Sequence, residues 1–149
     1  MRLSRRGRRH PSGALAVAHT ADGELVYGTR DTLELPGRSL RWEQVLTAEW
    51  DRDTELLRVV LVEPEEIELA LVEPTDFLQL VRERVTASVV LSRRVPVAEQ
   101  GFMLMVRRPP AGGELAMVVE YDRGLDPDAP KVVEALRAAQ AQVRSELGW

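Results

Sequence analysis

The chain has 149 residues, 44% of them apolar and 30% charged, and a formal net charge of −4, which fits one domain or two small packed halves. It contains no Cys and two His, so thiol nucleophiles, disulfides, thiolate metal sites and His-rich metal sites are excluded. No apolar run approaches the roughly 18 residues of a transmembrane helix and none fits a signal peptide, so we expect a cytoplasmic protein.

Residues 1–12 are predicted to form a flexible basic arm. The first ten residues carry five Arg and no acid, so the net charge of −4 divides into +5 here and −9 in the other 139 residues. Four side chains of the arm are candidates to contact the phosphates of a nucleic acid or an anionic membrane: Arg5, Arg6, Arg8 and Arg9. Because the arm has no aromatic side chain for base stacking and no apolar face, a solvated or self-docking tail is favoured over phosphate binding.

Residues 13–87 are predicted to hold a run of short strands followed by one helix. Asp22-Gly23 is a strong hairpin signal, and Pro36-Gly37 begins a predicted loop over residues 36–39. The helix is expected to run from Thr75, its predicted N-cap, to Ala87. The predicted strands cover residues 14–20, 24–30, 32–36, 45–51, 56–63 and 65–73.

Residues 88–149 are predicted to extend this first part with three antiparallel strands and a C-terminal helix that pack on it. A hairpin turn centred on Glu99 is expected to place Ser92 opposite Arg107. The strands are predicted over residues 89–97, 101–108 and 114–122. The sequence leaves open whether this extension is a separate domain or part of a single one.

The C-terminal helix is predicted over residues 129–147. Asp128 is its expected N-cap, Pro130 lies in its first turn and Gly148 is expected to end it. Its apolar side chains recur at helical spacing, which predicts that the helix covers one face of the three-stranded sheet. This stripe is formed by Val132, Val133, Leu136, Ala139, Val143 and Leu147.

The order of elements in residues 14–87, and a few local features, carry a resemblance to a known superfold. The features are Gly28-Thr29-Arg30 in the second strand, the pattern Trp42-x-x-Val45, and Glu49-Trp50-Asp51. On these the region resembles the pleckstrin-homology-like (PH-like) superfold and is similar to small proteins of high-GC bacteria. The resemblance implies a bent antiparallel barrel capped by one helix, and binding of phosphoinositides, peptides or proteins. The turn at Asp22-Gly23 is acidic where lipid-binding members carry basic residues, which weighs against phosphoinositides.

Three polar or aromatic residues are candidates for ligand or partner binding. Arg94 and Arg107 belong to one predicted hairpin and could form an anion cradle, with cross-strand charge pairing as the favoured alternative. Trp42 lies beside Arg41 and is a candidate stacking platform, although a place in the core is the favoured interpretation.

The strands predicted over residues 101–108 and 114–122 are apolar on both faces. One face is expected to carry Phe102, Leu104, Val106 and Val118, and the other Met103, Met105, Leu115, Met117, Val119 and Tyr121. A sheet that is apolar on both faces must be covered on both. The helix covers one face, and the other requires the first part of the chain, a second subunit or a ligand. Four residues of that second face are therefore candidate binding residues: Met103, Met105, Met117 and Tyr121.

Two acidic clusters are given structural explanations. Glu49, Asp51 and Asp53 surround a predicted hairpin tip that lacks the glycine of an EF-hand calcium loop. Glu66 and Glu68 lie on the polar face of a predicted strand, which does not suit a pair of carboxyl groups for acid–base catalysis. We therefore assign no metal site and no catalytic carboxylate.

The sequence as a whole predicts an α+β protein. Its parts are a PH-like antiparallel barrel with a capping helix, and an extension of a three-stranded meander with a final helix. We expect a non-catalytic interaction module whose partner is a protein, either a second copy in a homodimer or a different chain. No catalytic residue and no cofactor is assigned. The alternative is a small-ligand-binding protein or an enzyme with a pocket between the two halves.

Overall fold

The computed structural model describes residues 11–63 and 65–149. Within these ranges the protein is α+β, with ten strands in antiparallel sheets, two α-helices and one 3-10 turn. The chain divides into an N-terminal unit, which extends to Ser88 and includes Pro109–Gly113, and a C-terminal unit of Val89–Arg108 and Glu114–Trp149. In the described part of the chain, no helix is long and apolar enough to cross a membrane.

The N-terminal unit holds seven strands, a 3-10 turn at Trp42–Gln44 and helix α1 at Thr75–Ala87. The strands are β1 Ala16–Thr20, β2 Leu25–Gly28, β3 Thr32–Leu35, β4 Arg38–Arg41, β5 Val45–Asp51, β6 Leu56–Leu61 and β7 Glu66–Val72. They form one sheet in the order β4-β3-β2-β1-β7-β6-β5. Within the described residues β4 and β5 are both edges of this sheet, so it does not close. The predicted α+β class is confirmed, whereas a closed barrel is not.

Strand β4 lies where the sequence predicts a loop over residues 36–39. Leu35 pairs directly with Arg38, so Pro36 and Gly37 alone form the turn, and Gly37 has a φ of 69°. Proline fixes the first position of such a turn and glycine accepts the left-handed second one. The prediction of a four-residue loop was therefore wrong for Arg38 and Ser39, which belong to β4. The Pro-Gly pair reverses the chain without further residues.

Helix α1 packs against the inner face of this sheet. Phe77, Leu80 and Val81 are its buried residues. Pro74 occupies the N-cap, and its carbonyl accepts the Leu78 N–H at 2.8 Å. The prediction of Thr75 as N-cap was wrong by one residue, because Thr75 already lies in the helix.

The C-terminal unit is a three-stranded sheet with one helix on it. Its elements are β8 Val89–Val97, β9 Gln100–Arg107, β10 Ala116–Tyr121 and helix α2 Pro130–Leu147. The strand order is β10-β9-β8, and both pairs are antiparallel. Helix α2 packs over β8 and β9, as the apolar stripe predicts.

The hairpin between β8 and β9 turns on two residues. Val97 pairs with Gln100, and Ala98 adopts a φ of 55°. This register places Ser92 opposite Met105, so the prediction of Ser92 opposite Arg107 was wrong. The expected turn was one residue longer than the two-residue loop that right-twisted hairpins favour.

The register between β9 and β10 corrects the predicted faces of the sheet. Met117 pairs with Val106, and Tyr121 pairs with Phe102, so these residues share the face that α2 covers. Val118 pairs with Met105 and lies on the opposite face. The predicted assignment of β10 was wrong by one position, and a shift of one residue moves every side chain of a strand to the other face.

The ends of α2 differ from the prediction at one terminus only. Ala129 is the N-cap and its carbonyl accepts the Val132 N–H, so Asp128 is not the cap. The Asp126 side chain accepts the Asp128 N–H instead, which holds that residue in the preceding turn. Gly148 ends the helix with a φ of 66°, as predicted.

Candidate functional site

Among the described residues, strand β5 is the last strand of the N-terminal sheet, and it runs beside helix α1. In the described residues it has one neighbouring strand, β6. Between the C-terminal end of β5 and α1 lies an open groove of about 870 Å³. It is lined by Trp50, Arg52, Thr75, Leu78, Gln79, Arg82, Glu83, Thr86 and Ala87.

The wall that α1 contributes to this groove is a single helix face. Thr75, Leu78, Arg82 and Thr86 recur at intervals of three and four residues, which places them side by side along the helix. The adjacent face, with Phe77 and its neighbours, is buried in the core. The same helix therefore anchors the core with one stripe and borders the groove with the next.

The two tryptophans of this region lie in different environments. Trp42 is 0% exposed, and its Nε1–H donates to the Thr29 carbonyl at 2.9 Å. Its indole is therefore a core residue, which is the favoured interpretation of the sequence, and it is not the exposed stacking platform of the alternative. Trp50 is half-buried, packs against the edge of the core and reaches the groove. The exposure of Trp50 and the burial of Trp42 could be distinguished only from the strand order, which makes β5 an edge strand.

Two arginines border the groove. Among the residues that the structure describes, neither Arg52 nor Arg82 forms an ion pair within 4.0 Å. Glu83 is the one acidic residue in the lining. The groove therefore combines an apolar floor at Trp50 and Leu78 with two guanidinium groups, which bind carboxylates well.

The other edge of the same sheet is protected. Strand β4 has four residues, and the side chains of Arg38 and Arg41 at its ends are exposed. Arg38 forms a two-pronged ion pair with Glu65. Short, charged edges of this kind resist pairing with another strand. By contrast β5 has seven residues, and its ladder with β6 is regular from Thr47 to Asp51.

The acidic cluster beside the groove is a hairpin tip, as predicted. Asp51 Oδ1 accepts the N–H groups of Asp53 at 2.9 Å and Thr54 at 3.2 Å. These backbone hydrogen bonds lower the pKa of Asp51 below its ordinary value. No group of three or more potential metal-ligating side chains is found in the described ranges.

The predicted anion cradle is not assembled. Arg94 lies opposite Met103, four positions along β9 from Arg107, which separates them by about 13 Å along the strand. Arg94 forms a bidentate ion pair with Asp122, at 2.7 Å and 2.5 Å, and its hydrogen bonds lower the pKa of Asp122. Arg107 is 1% exposed. Arg94 is therefore occupied by charge pairing within the sheet, although its partner Asp122 follows β10 and is separated from β8 by β9.

The four candidate residues of the apolar sheet are divided between its two faces. Met103, whose sulfur accepts a hydrogen bond from Ser92, lies with Met105 on the face away from α2. Met117 and Tyr121 lie on the α2 face, where the Tyr121 ring packs 5.8 Å from that of Phe102. The four residues therefore do not form one binding surface, because the register of β10 separates them.

Two predictions are left without a structural test. The candidate phosphate contacts Arg5, Arg6, Arg8 and Arg9 lie outside the described residues. The alternative of a ligand pocket between the two halves of the chain also stays a prediction.

A second, smaller cleft of about 310 Å³ opens at a corner of the N-terminal sheet. Its apolar lining includes Leu35, Ile67 and Leu69, and its acidic lining includes Asp22, Glu24 and Glu68. Three carboxylates against one arginine, Arg38, make this cleft unfavourable for a phosphate.

Comparison of the chain with protein-family models, with curated proteins and with solved structures found no match in any of the three. The geometry of the groove beside β5 is therefore the basis of the functional argument.

Proposed function

We propose that the N-terminal unit is a PH-like, non-catalytic interaction module that binds an extended peptide segment of a partner protein. The observation that carries the proposal is the Thr47–Asp51 segment of β5, which has β6 as its one neighbouring strand in the described residues, beside an apolar groove bordered by Arg52 and Arg82. A run of short antiparallel strands followed by one helix supports the PH-like interpretation, since the resemblance rests on about six such strands and a helix.

The peptide backbone is held by strand addition. An extended peptide placed beside β5 continues the antiparallel sheet and receives main-chain hydrogen bonds from its outer edge. The regular part of β5, Thr47 to Asp51, supports a segment of about five residues, or roughly 17 Å. Main-chain pairing of this kind supplies affinity with little dependence on sequence.

The groove supplies the selectivity. A side chain that points toward α1 lies over Trp50 and Leu78, which favours an apolar or aromatic residue. The guanidinium groups of Arg52 and Arg82 favour carboxylates two positions from that anchor, because in an extended strand these side chains share its face. The preferred ligand is therefore an extended segment with one apolar anchor and an acidic residue two positions away from it.

A peptide is favoured over a phosphoinositide because of the charge at the corner of the sheet. The turn between β1 and β2 carries Asp22 and Glu24, and Glu68 lies in the same cleft. These carboxylates repel an anionic headgroup. The groove beside β5 is the more basic of the two sites.

A random-peptide display selection against the immobilised full-length chain tests this function. We expect enriched peptides to carry one apolar residue within an acidic segment. Binding of a selected peptide should weaken by about tenfold or more in Trp50→Ala and in Arg82→Glu, an effect of about 1.4 kcal/mol. Arg137→Glu makes the same charge change at an exposed position of α2 and should leave binding unchanged.

Two results would contradict the proposal. One is an enriched peptide that binds Trp50→Ala and the wild-type chain equally well. The other is an equal loss of binding in Arg82→Glu and Arg137→Glu, which would indicate non-specific charge attraction. Far-UV circular dichroism of each variant verifies that the fold is retained.

A further inference from the structure

The outer edge of β8 in the C-terminal unit is blocked. Arg93 and Arg94 of this strand form ion pairs with Glu146 and Asp122. The strand also contains Pro96, which lies opposite Gly101. Charged residues and proline are the usual devices that prevent an edge strand from pairing.

The hydrogen-bond pattern shows that Pro96 faces outward. The Gly101 carbonyl accepts the Asp122 N–H at 3.0 Å, so the backbone of Gly101 is directed toward β10. In an antiparallel ladder, a residue whose backbone is directed to one neighbouring strand forms a non-hydrogen-bonded pair with the residue opposite it on the other neighbour. Gly101 and Pro96 are such a pair. The Pro96 nitrogen therefore lies on the outer edge of β8, where it cannot donate a hydrogen bond.

The other edge of the same sheet, β10, is less protected. Its six residues, Ala116–Tyr121, include no proline, and Glu120 is the single charged residue. A mainly apolar edge strand without proline is a template for pairing with another strand.

The backbone groups of β10 that face outward can be identified. Since Asp122 donates to Gly101 of β9, the even-numbered residues of β10 are the ones that form backbone hydrogen bonds with β9. The alternation of an antiparallel ladder then directs the N–H and C=O groups of Met117, Val119 and Tyr121 away from it. These three residues offer their backbone groups to a further strand.

The side chains of the same three residues are incompletely covered. Their partners Phe102, Leu104 and Val106 on β9 are fully buried. Met117, Val119 and Tyr121 are only half-buried, because α2 packs mainly on β8 and β9. The apolar core of the C-terminal unit thus continues to the outer edge of the sheet through Met117, Val119 and Tyr121.

We propose that two copies of the chain form a homodimer by pairing their β10 strands in antiparallel fashion, with the two-fold axis at Val119. Val119 then lies opposite Val119 of the second copy, and Met117 opposite Tyr121 of the second copy. All these side chains lie on the α2 face, so apolar groups meet apolar groups. The outward backbone groups form about six hydrogen bonds, and the two-fold symmetry closes the assembly.

The occupant is a second copy because β10 is complementary to itself. The arrangement about Val119 keeps every helix-side pair within the strand Ala116–Tyr121. On the opposite face Glu120 lies across from Val118 of the second copy, so the two carboxylates are not directly opposed. A register shifted by two residues would place Tyr121 against Leu115, which lies outside the strand.

The first test is the mass of the full-length protein in solution. Sedimentation equilibrium at tens of micromolar should give twice the monomer mass of 16.7 kDa. Val119→Pro removes an outward N–H and leaves the ladder with β9 intact, so self-association should weaken by at least about tenfold. Val119→Thr keeps the shape and the N–H, and it should remain a dimer.

The second test uses the absence of cysteine in the chain. In the proposed pairing the Cα atoms of the two Val119 residues are about 5.5 Å apart, within the range of a disulfide. Val119→Cys should therefore form a covalent dimer under mild oxidation. Glu120→Cys, whose counterpart lies diagonally across the pair at about 7–8 Å, should cross-link far less.

Each alternative outcome overturns the proposal. A monomer at every concentration would mean that the edge is not used between copies and is left for a strand of a different protein. A dimer that persists in Val119→Pro, with no preference for Val119→Cys over Glu120→Cys, would place the interface elsewhere. Because the cross-linking variants retain the backbone of β10, they keep the test valid if Val119→Pro does not fold.

Discussion

Gly28 in β2 is closely approached by side chains of two other elements, helix α1 and the 3-10 turn. A Cβ atom at this position would lie 2.6 Å from Leu80 Cδ2 and 3.0 Å from Trp42 Cζ2. Both side chains are buried in well-packed surroundings, where added volume displaces neighbours. The glycine therefore allows α1 and the 3-10 turn to pack on the sheet together.

We expect Gly28→Ala to lower the free energy of unfolding by about 1–3 kcal/mol through overpacking. Urea denaturation measures this value. The cause is checked with Leu80→Ala, which should offset part of the loss in the double variant because the two sites are in contact. Strictly additive effects of the two substitutions would mean that the Leu80 contact is not the cause.

At the scale of the element, the apolar stripe of α2 is buried at some positions and exposed at others. The sequence places Val133 and Val143 in the same stripe. In the structure Val143 is 0% exposed and Val133 is 40% exposed. The difference arises because the stripe is wider than the surface that β8 and β9 offer to the helix.

This pair of valines provides a matched comparison. Val143→Ala should reduce the free energy of unfolding by about 1–3 kcal/mol, because it removes buried methyl groups and leaves a cavity. Val133→Ala should change it by less than about 0.5 kcal/mol, as is usual for surface positions. Thermal or urea unfolding measures both, and equal effects would show that the burial of α2 differs from that described.

The sequence predicted most elements of the fold because their signals are local. Alternating apolar residues and turn residues located β6, β7 and both helices, and Asp22-Gly23 located the first hairpin. The register of the later hairpins was not accessible in this way. A turn of two residues and one of three have similar sequences, yet the choice at Ala98 decides which residues are neighbours across the pair.

At the scale of the whole molecule, the sequence could not locate the groove beside β5. Its existence depends on β5 being the last strand of a sheet whose order is set by the pairing of β1 with β7. That pairing joins residues about fifty positions apart, such as His19 and Val72. The sequence shows that Trp50 is aromatic, but its position on an edge strand of the sheet follows only from this long-range contact.

The charge of the whole chain gives a prediction for its basic arm. Residues 11–149 carry −9 against +5 in the first ten residues, so the body of the protein opposes association with polyanions. We expect no retention of the full-length chain on heparin at about 0.15 M salt. A chain lacking residues 1–10 should elute at the same position. Retention that disappears in the shortened chain would establish phosphate binding by Arg5, Arg6, Arg8 and Arg9.

The contrast between β8 and β10 also governs how far assembly can go. A sheet with two open edges can recruit copies without end, which is how cross-β fibrils elongate. In the C-terminal sheet, Pro96 and the paired arginines prevent strand addition at β8, so this sheet can be extended only at β10. Pairing of two β10 strands in the proposed dimer occupies both of these edges. The joined C-terminal sheets of the proposed dimer are therefore protected against polymerisation, and loss of Pro96 would remove part of that protection.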